Sequence, residues 1–467
     1  MKQLTQEQIK EIQRATEDVL GRIGVQVMHA GLLARARAAG ADVDEANGTV
    51  RLAAPLLREL LAQAPSQYEI ADAHGHTFTV GRNSLGCLAI VTDPWIIDYD
   101  TQRPRRPCLA DLRRHSIIAQ KLAPVVGASR MDFPVSDVKG PTSSLRALEE
   151  HLLHFSKHMT VLPASLESFE QWLEIGRILI QGRDLIGSRL ITLGVPVLSP
   201  LRLTEMNAEL LLRACAYDFP VVSTICPMAG TTGPYNKIGT LLLGNAENVF
   251  LAAMCQIVRP GQPYLYALGP SRTDMLSGGD QYYTLDKVLW KLAAAQMGHA
   301  YHLPVSSECG GTMTYRYDQQ NGAEGLLFML AAYESQAGIL AGIGSCYNAN
   351  GMSAEMMLIH TAWLEAARFL GRGLETDGLD EALESIRRAG PGGHYLADDL
   401  TLKNLRSDEF FHSALFDHSG HYGPHPSLLE RAHEQVEALV AGFESPLPGQ
   451  VQEELRRTFS DLYRRLG

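Results

Sequence analysis

From about residue 86 onward, the chain alternates between short apolar runs and longer segments with helical periodicity. Continuous apolar runs, without polar alternation, are typical of strands in a parallel sheet that is buried on both faces. Eight can be recognised: CLAIV, VVGASRM, HMTVLP, LITLGVPVLSPL, PVVSTICPMAG, PYLYALG, PVSSEC and AGILAGIG. Eight strands with helices between them predict an α/β fold, a (β/α)8 or TIM barrel. A doubly wound open sheet would also fit the alternation.

The N-terminal part has a different pattern. Apolar residues recur at helical spacing in two segments of Leu4–Gly40, and Pro55–Ala64 predicts a further short helix. Alternating, β-rich pieces occupy Tyr68–Asp100. We therefore divide the chain into an N-terminal helical and β extension, residues 1–85, and a barrel with C-terminal helices, residues 86–467.

Composition excludes several classes of partner. The net charge is −11, from 41 basic and 52 acidic residues, and no long Lys/Arg run is present, which argues against nucleic acid and anionic membranes. The polar, amphipathic start is unlike a secretory signal, and no uninterrupted apolar stretch is long enough to span a membrane. Seven cysteines without a CxxC pair are typical of reduced thiols, so we expect a cytoplasmic protein.

The functional face of such a barrel is formed by the carboxyl ends of its strands. Aromatic and sulfur-containing side chains are frequent there, and clustered lysines or arginines are not. A quaternary ammonium has no N–H to donate, so aromatic faces are its natural partners. Residues expected at this face are Trp95, Met131–Asp132, Ser199–Pro200, Cys226–Met228, Gly269, Glu308–Cys309 and Ser345–Tyr347. Candidate aromatic walls are Trp95, Tyr266, Tyr282, Tyr283, Tyr315, Tyr317 and Tyr347, although a single loop tyrosine more often simply packs.

The segment Pro304–Asn350 carries the most unusual residues. It reads as strand, polar loop, helix and second strand, so its two polar tips should lie at neighbouring strand ends. We predict that Tyr315 and Tyr347 flank a quaternary nitrogen, with Glu308 at the floor or rim of the pocket. Substrate-binding candidates are Trp95, Tyr266, Glu308, Tyr315, Arg316, Tyr347 and His360.

Two patterns leave a metal site open as an alternative. Cys226, Cys309 and Cys346 all fall near predicted strand ends, where three thiolates could hold zinc in a thiol (homocysteine) methyltransferase. His151, His154 and His158 have spacing that fits one helix face. HExxH and Cys-Cys signals are missing, so we expect no metal; buried free thiols are the simpler reading.

Several motifs together resemble the trimethylamine methyltransferase superfamily, in its non-pyrrolysine branch, over nearly the whole chain. They are SPL (Ser199–Leu201), PMAGTTGP followed by GTLLLGNAE (Gly239–Glu247), RPGQPYLY (Arg259–Tyr266), YDQQNGAEG (Tyr317–Gly325), the helix start Ser353–Glu355, and GPGGHYL with Thr401. The loop SSECGGTMTYRY departs from the family pattern, so we expect it to influence substrate choice.

The resemblance implies a (β/α)8 barrel that moves a methyl group from a methylated amine to the Co(I) of a separate corrinoid protein. Because the sequence contains no pyrrolysine, the chain is similar to the branch of the family that takes quaternary amines of the betaine type. The corrinoid (cobalamin) would be carried by the partner protein and not bound directly. Gly230, Gly233, Gly310 and Gly311 are then loop residues that could face it, and Arg316, His360 or the Gly230–Gly233 backbone could anchor a betaine carboxylate.

No catalytic residue is assigned from the sequence, because a neutral tertiary amine leaves without a general acid. A barrel that binds a betaine without turnover remains an alternative, and a homo-oligomer is left open.

Overall fold

The computed structural model describes residues 2–130 and 133–466. Eight parallel strands close into a barrel, and the pairing of the eighth with the first, Ile339 opposite Gly86, completes the ring. The strands are β1 (Gly86–Ile90), β2 (Val125–Arg130), β3 (His158–Val161), β4 (Ile191–Val195), β5 (Val221–Ser223), β6 (Tyr264–Ala267), β7 (Val305–Glu308) and β8 (Ile339–Ile343). The (β/α)8 prediction is thus confirmed, and the open doubly wound sheet is wrong because closure leaves no edge strand in this sheet.

A helix follows each barrel strand. These are α1 (Leu109–Lys121), α2 (Ser143–Leu152), α3 (Leu166–Leu179), α4 (Glu205–Ala216), α5 (Lys237–Val258), α6 (Asp286–Ala300), α7 (Gln319–Glu334) and α8 (Ala354–Arg372). Side-chain caps fix where helices begin near the functional face: Asn236 caps α5, Asp318 caps α7 and Ser353 caps α8.

Helix α5 is long and apolar enough to cross a membrane, by length and composition alone. However, 78% of its most apolar window is buried inside the fold. Its Asn245 side chain bonds Thr16 Oγ1 at 2.8 Å and Tyr266 Oη at 2.9 Å, which ties the N-terminal helix to the barrel wall. We therefore describe α5 as a core helix of the barrel layer.

The N-terminal part contains the predicted helices, Gln6–Asp18, Ala30–Ala38 and Ala54–Ala62, with a π-helical turn at Val19–Ile23. It also contains strands that the helical pattern did not reveal: Val25–Val27, Asp42–Asp44 and Thr49–Arg51, joined by Arg202–Leu203 into a four-stranded sheet. Each has only two or three residues, too few for a periodic signal.

A hairpin closes the amino-terminal end of the barrel. Its strands, Tyr68–Ala71 and Thr77–Val80, place Tyr68, Ile70 and Val80 against the inward-pointing residues of the barrel floor. Those floor residues are Leu88, Val222, Leu265 and Ile339. Because this apolar plug fills one end, the barrel interior opens only at the carboxyl ends of the strands.

Small sheets and C-terminal helices surround the open end. Four strands after β1 and β8 form one sheet: Trp95–Ile97, Pro104–Arg105, Ser345–Cys346 and Gly351–Met352. Three strands after β5 and β6 form another: Met228–Ala229, Ser271–Thr273 and Asp280–Gln281. The remaining helices are Leu379–Ala389, Asp399–Asn404, Leu428–Ala441 and Gly449–Leu466.

Candidate active site

A cavity of about 730 Å³ occupies the open end of the barrel. Leu88, Val222 and Leu265 form its floor. Inward-pointing residues nearer the carboxyl ends of the strands, such as Thr160 and Ala267, form its wall. Its rim comes from the loops after β1, β6 and β8. A concave, mostly apolar site with a few polar groups at this end of the barrel is where (β/α)8 proteins bind small ligands.

Glu308, the last residue of β7, lies in this wall and is held from one side. Its Oε1 accepts a hydrogen bond from Tyr282 Oη and lies 3.2 Å from Lys287 Nζ. Its Oε2 is buried and has no hydrogen-bond partner among the described residues. Gly269 makes room for this arrangement, since a Cβ there would lie 2.6 Å from Tyr282 Oη and 3.1 Å from Glu308 Oε1.

Two lysines of α6 face Glu308 from behind the barrel wall. Lys287 Nζ lies 3.0 Å from the centre of the Tyr282 ring and donates to Pro270 O at 3.2 Å. Lys291 Nζ donates to the main-chain oxygen of Glu308 at 2.6 Å. Burial lowers the pKa of Lys287, while the Glu308 carboxylate opposes that shift. Burial lowers the pKa of Lys291 to about 8. Glu308 therefore already has a counter-charge within the protein.

A second carboxylate, Asp93, lines the cavity from the loop after β1. It is 9% exposed, and no hydrogen bond or ion pair to it is found among the side chains of residues 2–129 and 133–466. Burial alone raises its pKa well above the usual range.

Aromatic and sulfur groups complete the lining. Tyr282 and Tyr283 meet edge to face, with ring centres 5.2 Å apart, and Tyr283 Oη bonds Ser345 Oγ at 3.2 Å. The Cys226 thiol is accessible from the cavity, and partial loss of solvation, together with the nearby charge of Glu308, raises its pKa to about 11. The wall thus combines two tyrosines with a neutral thiol, as the aromatic and sulfur-rich inventory of strand ends suggested.

Asn348 links the loops of the rim to one another. Its Oδ1 accepts from Tyr282 N at 2.7 Å, its Nδ2 donates to Asp280 O at 2.7 Å, and its main-chain N donates to Thr312 O at 2.8 Å. It lies within three consecutive residues with positive φ: Tyr347 (49°), Asn348 (54°) and Ala349 (58°). Such backbone is costly for residues other than glycine, so the surrounding bonds must hold it.

Trp95, Tyr315 and Tyr347, predicted to contact the ligand, do meet in space but outside the cavity lining. Their ring centres lie 6.5 Å apart for Trp95 and Tyr347, and 5.6 Å apart for Tyr315 and Tyr347. The Arg106 guanidinium lies 4.0 Å from the centre of the Trp95 ring, and exposed Arg316 lies 5.6 Å from that of Tyr315. Asn348, Ala349 and Asn350, which follow Tyr347, do line the cavity. This rim cluster therefore flanks the entrance.

Other predicted ligand contacts lie away from the cavity. Leu265 and Ala267 point into the barrel, so Tyr266, between them in β6, points outward. It is fully buried there, and its hydroxyl donates to Asn245 Oδ1. His360 is fully buried on α8, and its Nδ1 accepts from Gly344 N at 3.1 Å. Burial lowers the pKa of His360 to about 3, so its ring stays neutral. Tyr317 donates to Ser353 Oγ at 2.8 Å and so packs against the start of α8.

The four glycines expected to face a corrinoid divide into two pairs. Gly310 and Gly311 are buried, with φ of 64° and 87°, and a Cβ would lie 2.3 Å from the His360 ring and 2.4 Å from the Tyr283 ring respectively. Their glycine identity thus follows from packing. Gly230 and Gly233 lie in a partly exposed turn after β5, beside exposed Tyr235 and Met275.

The residues considered for metal binding do not converge. Within the described part of the chain, no three His, Cys, Asp or Glu side chains are placed to hold an ion. Cys309 and Cys346 are buried, which raises the pKa of both thiols well above the usual range. The expected histidine face is wrong: α2 ends at Leu152, and His158 lies in β3, where it bonds Arg189 O and Thr192 Oγ1.

Of the other expected mouth residues, Cys226 and Gly269 line the cavity. Ser199 donates to Glu247 Oε2 at 2.6 Å, away from the cavity, and Met131–Asp132 lie outside the described residues. Asp93, Lys287 and Lys291 were missed. Asp93 could have been found from its place directly after the apolar run CLAIVT, whereas the lysines are spaced by four on an otherwise ordinary helix.

The fold and the cavity define a (β/α)8 barrel with its ligand site at the carboxyl ends of the strands. The family model for trimethylamine methyltransferase (MTTB) matches residues 1–465. The chain therefore belongs to the trimethylamine methyltransferase family, as its motifs indicated.

Named relatives and a solved structure agree. Glycine betaine methyltransferase of Desulfitobacterium hafniense (strain Y51) is 26% identical, covering 95% of this chain and 93% of the relative. L-carnitine:corrinoid methyltransferase of Eubacterium limosum is 24% identical, covering 94% and 93%. The monomethylamine methyltransferase of Methanosarcina barkeri shares the fold, with a TM-score of 0.51 at 12% identity, covering 98% of this chain and 88% of that one.

Proposed function

We propose that this protein transfers a methyl group from a quaternary amine of the betaine type to the cobalt of a corrinoid that a separate protein carries. The observation that carries the proposal is the cavity itself, in which Tyr282 and Tyr283 are combined with the carboxylates of Asp93 and Glu308. A ligand with a permanent positive charge and an apolar surface suits such a wall. Family membership and the betaine relatives support the same class of substrate.

The reaction requires little chemistry from the protein's side chains. The electron pair of Co(I) forms the bond to the methyl carbon, and the pair of the breaking C–N bond stays on nitrogen, so a neutral tertiary amine leaves and no proton is needed. The positive charge on nitrogen fades during transfer. A carboxylate beside the nitrogen therefore contributes mainly to binding of the substrate, whereas diffuse aromatic contact loses less stabilisation as the charge fades in the transition state. The role of Tyr282 and Tyr283 is to bind and orient the ammonium, with its methyl directed to the cavity mouth.

We assign the partner's docking face to the rim on the side of the β5 and β6 loops. The turn containing Gly230 and Gly233 lies there, beside the exposed apolar residues Tyr235 (62%), Met275 (61%) and Leu276 (99%). Exposed apolar groups of this size commonly mark contact surfaces. Gly310 and Gly311 are buried, so their role is to position the mouth loop rather than to touch the corrinoid.

The rim cluster of Trp95, Tyr315 and Tyr347, with Arg316, is the proposed entrance for a substrate carboxylate. Arg316 is exposed and can reach a carboxylate that points outward, whereas buried His360 cannot. We also propose a cytosolic location, which the seven free cysteines support.

A product screen tests the proposed function. The purified protein is mixed with a reduced corrinoid protein and each member of a panel of betaines, including glycine betaine, proline betaine and carnitine. We expect mass spectrometry to find the singly demethylated amine for at least one compound. Binding by calorimetry without any demethylated product across the panel would instead indicate a binding protein.

A further inference from the structure

We propose that Asp93 is the counter-ion of the substrate's quaternary nitrogen and that it becomes ionised when the substrate binds. This inference rests on the proposed function and adds a specific residue to it. Asp93 is the third residue after β1 and lines the cavity, although it is only 9% exposed. Its carboxyl group thus reaches the interior of the site from the strand end facing the ligand.

Asp93 differs from the other two carboxylates that line the cavity. Glu308 is paired with Lys287 and bonded by Tyr282. Asp280 is exposed at the rim, where water screens its charge. Asp93 is only 9% exposed, and it has no hydrogen bond or ion pair to any side chain that the structure describes. An ionised carboxylate without a counter-charge is unfavourable in that position, so burial raises the pKa of Asp93 and favours the neutral acid.

Among the side chains that the structure describes, those around Asp93 do not supply a compensating positive charge. Tyr283 and Cys346 lie near enough for the charge of Asp93 to raise the pKa of each further above its usual range. Both groups are therefore neutral and offer Asp93 no counter-charge. Lys291 lines the same cavity, but its Nζ donates to the main chain at Glu308. A quaternary ammonium beside Asp93 would provide the compensating charge, and would do so without any N–H.

Binding should therefore release a proton from the protein. Below the pKa of Asp93, each binding event must ionise the carboxyl group, so the apparent Kd falls about tenfold for each unit that the pH rises. Above that pKa the group is already ionised, and affinity becomes independent of pH. Neither tetramethylammonium nor glycine betaine titrates near neutral pH, so any proton released comes from the protein.

Calorimetry tests this directly. The free wild-type protein is titrated with tetramethylammonium, with glycine betaine, and with any substrate found in the product screen. Each titration is repeated in buffers that differ in ionisation enthalpy. The titrations are also run over a series of pH values, and we expect release of about one proton per site at the acid end of the series, falling towards zero as the pH rises. Asp93→Asn should weaken binding by about tenfold or more near neutral pH and should release none. The control Asp100→Asn, at an exposed carboxylate seven residues after Asp93 that does not line the cavity, should keep both the affinity, within about threefold, and the proton release.

The outcomes separate the two proposals. If no quaternary amine binds and no product forms, the proposed function fails. If ligands bind or turn over but the wild type releases no proton, or if Asp93→Asn binds like the wild type, the assignment of Asp93 is overturned. Thermal unfolding checks that Asp93→Asn folds, and we expect a melting temperature no lower than that of the wild type, because the substitution removes a buried group without a partner.

Discussion

At the scale of single residues, Glu308 is a predicted ligand contact that also compensates the charge of a buried lysine, Lys287. Glu308 lies in the cavity wall, whereas the sequence placed it at the floor or rim of a pocket, and its attachment to Lys287 and Tyr282 could not be predicted from the sequence. Tyr282 comes from the loop after β6 and Lys287 from α6, 26 and 21 residues earlier in the chain. Lys287 is fully buried, so its ammonium depends on Glu308 for compensation.

Glu308→Gln should therefore destabilise the fold, by about 3 kcal/mol, because it leaves the Lys287 ammonium buried without a negative partner. The double variant Glu308→Gln with Lys287→Met should recover most of that loss, since it removes both charges. Denaturant unfolding of the wild type, both single variants and the double variant gives the coupling free energy. Equal instability of the Glu308→Gln single variant and the double variant would contradict the pairing.

The same substitution tests the role of Glu308 in turnover. Although Lys287 compensates much of its charge, the Glu308 carboxylate in the cavity wall stabilises the cationic ground state more than the transition state, in which the charge on nitrogen has faded. We expect Glu308→Gln to raise KM while kcat stays the same or rises. Unchanged KM and kcat, in protein shown to be folded, would mean that Glu308 only supports Lys287.

At the scale of elements, the segment from β7 to α8 is held by close packing. Buried Gly310 and Gly311 let the loop after β7 pass against the His360 and Tyr283 rings, and Asn348 joins the loops after β6, β7 and β8. The sequence predicted the strands and the helix of this segment. It did not predict these loop contacts, because they are made between residues far apart in the chain.

Gly310→Ala should be destabilising by about 1–3 kcal/mol or more, because a Cβ would lie 2.3 Å from the His360 ring and φ is 64°. Gly322→Ala in α7 is the matched control, since its Cβ would meet nothing within 4 Å. It should be neutral, or stabilising by up to about 1 kcal/mol, as for glycine replaced in a helix. Thermal melts of both variants test this; similar melting temperatures would contradict the packing described for Gly310.

Asn348 offers a way to separate backbone from side-chain effects. Asn348→Gly loses the side-chain bonds to Tyr282 and Asp280 but keeps the positive φ accessible. Asn348→Ala loses the same bonds and also makes the positive φ unfavourable. We expect faster hydrogen exchange at residues 280–283 in both variants, with a larger loss of stability for alanine, by about 1 kcal/mol. Protection equal to that of the wild type in both variants would show that the bonds do not hold the rim.

At the scale of the whole molecule, the eight strands could be predicted because parallel strands buried on both faces must be apolar throughout. That same feature hides which face of a strand points inward. Tyr266 and Leu265 are both apolar enough for either side, and the structure turns Tyr266 outward. Family membership was likewise evident from motifs spread along the chain. Asp93 was not predicted as a site residue, although it lies two residues before Trp95, which was.

The central claim is that a methyl group moves from a quaternary amine to the cobalt of a partner-held corrinoid. A single-turnover absorbance measurement tests it most directly, using this protein, a Co(I) corrinoid protein and the betaine panel. The account predicts loss of the Co(I) spectrum and growth of the methyl–cobalt spectrum, dependent on both the quaternary amine and this protein. An unchanged Co(I) spectrum with every betaine, under conditions where the protein is folded, would contradict it.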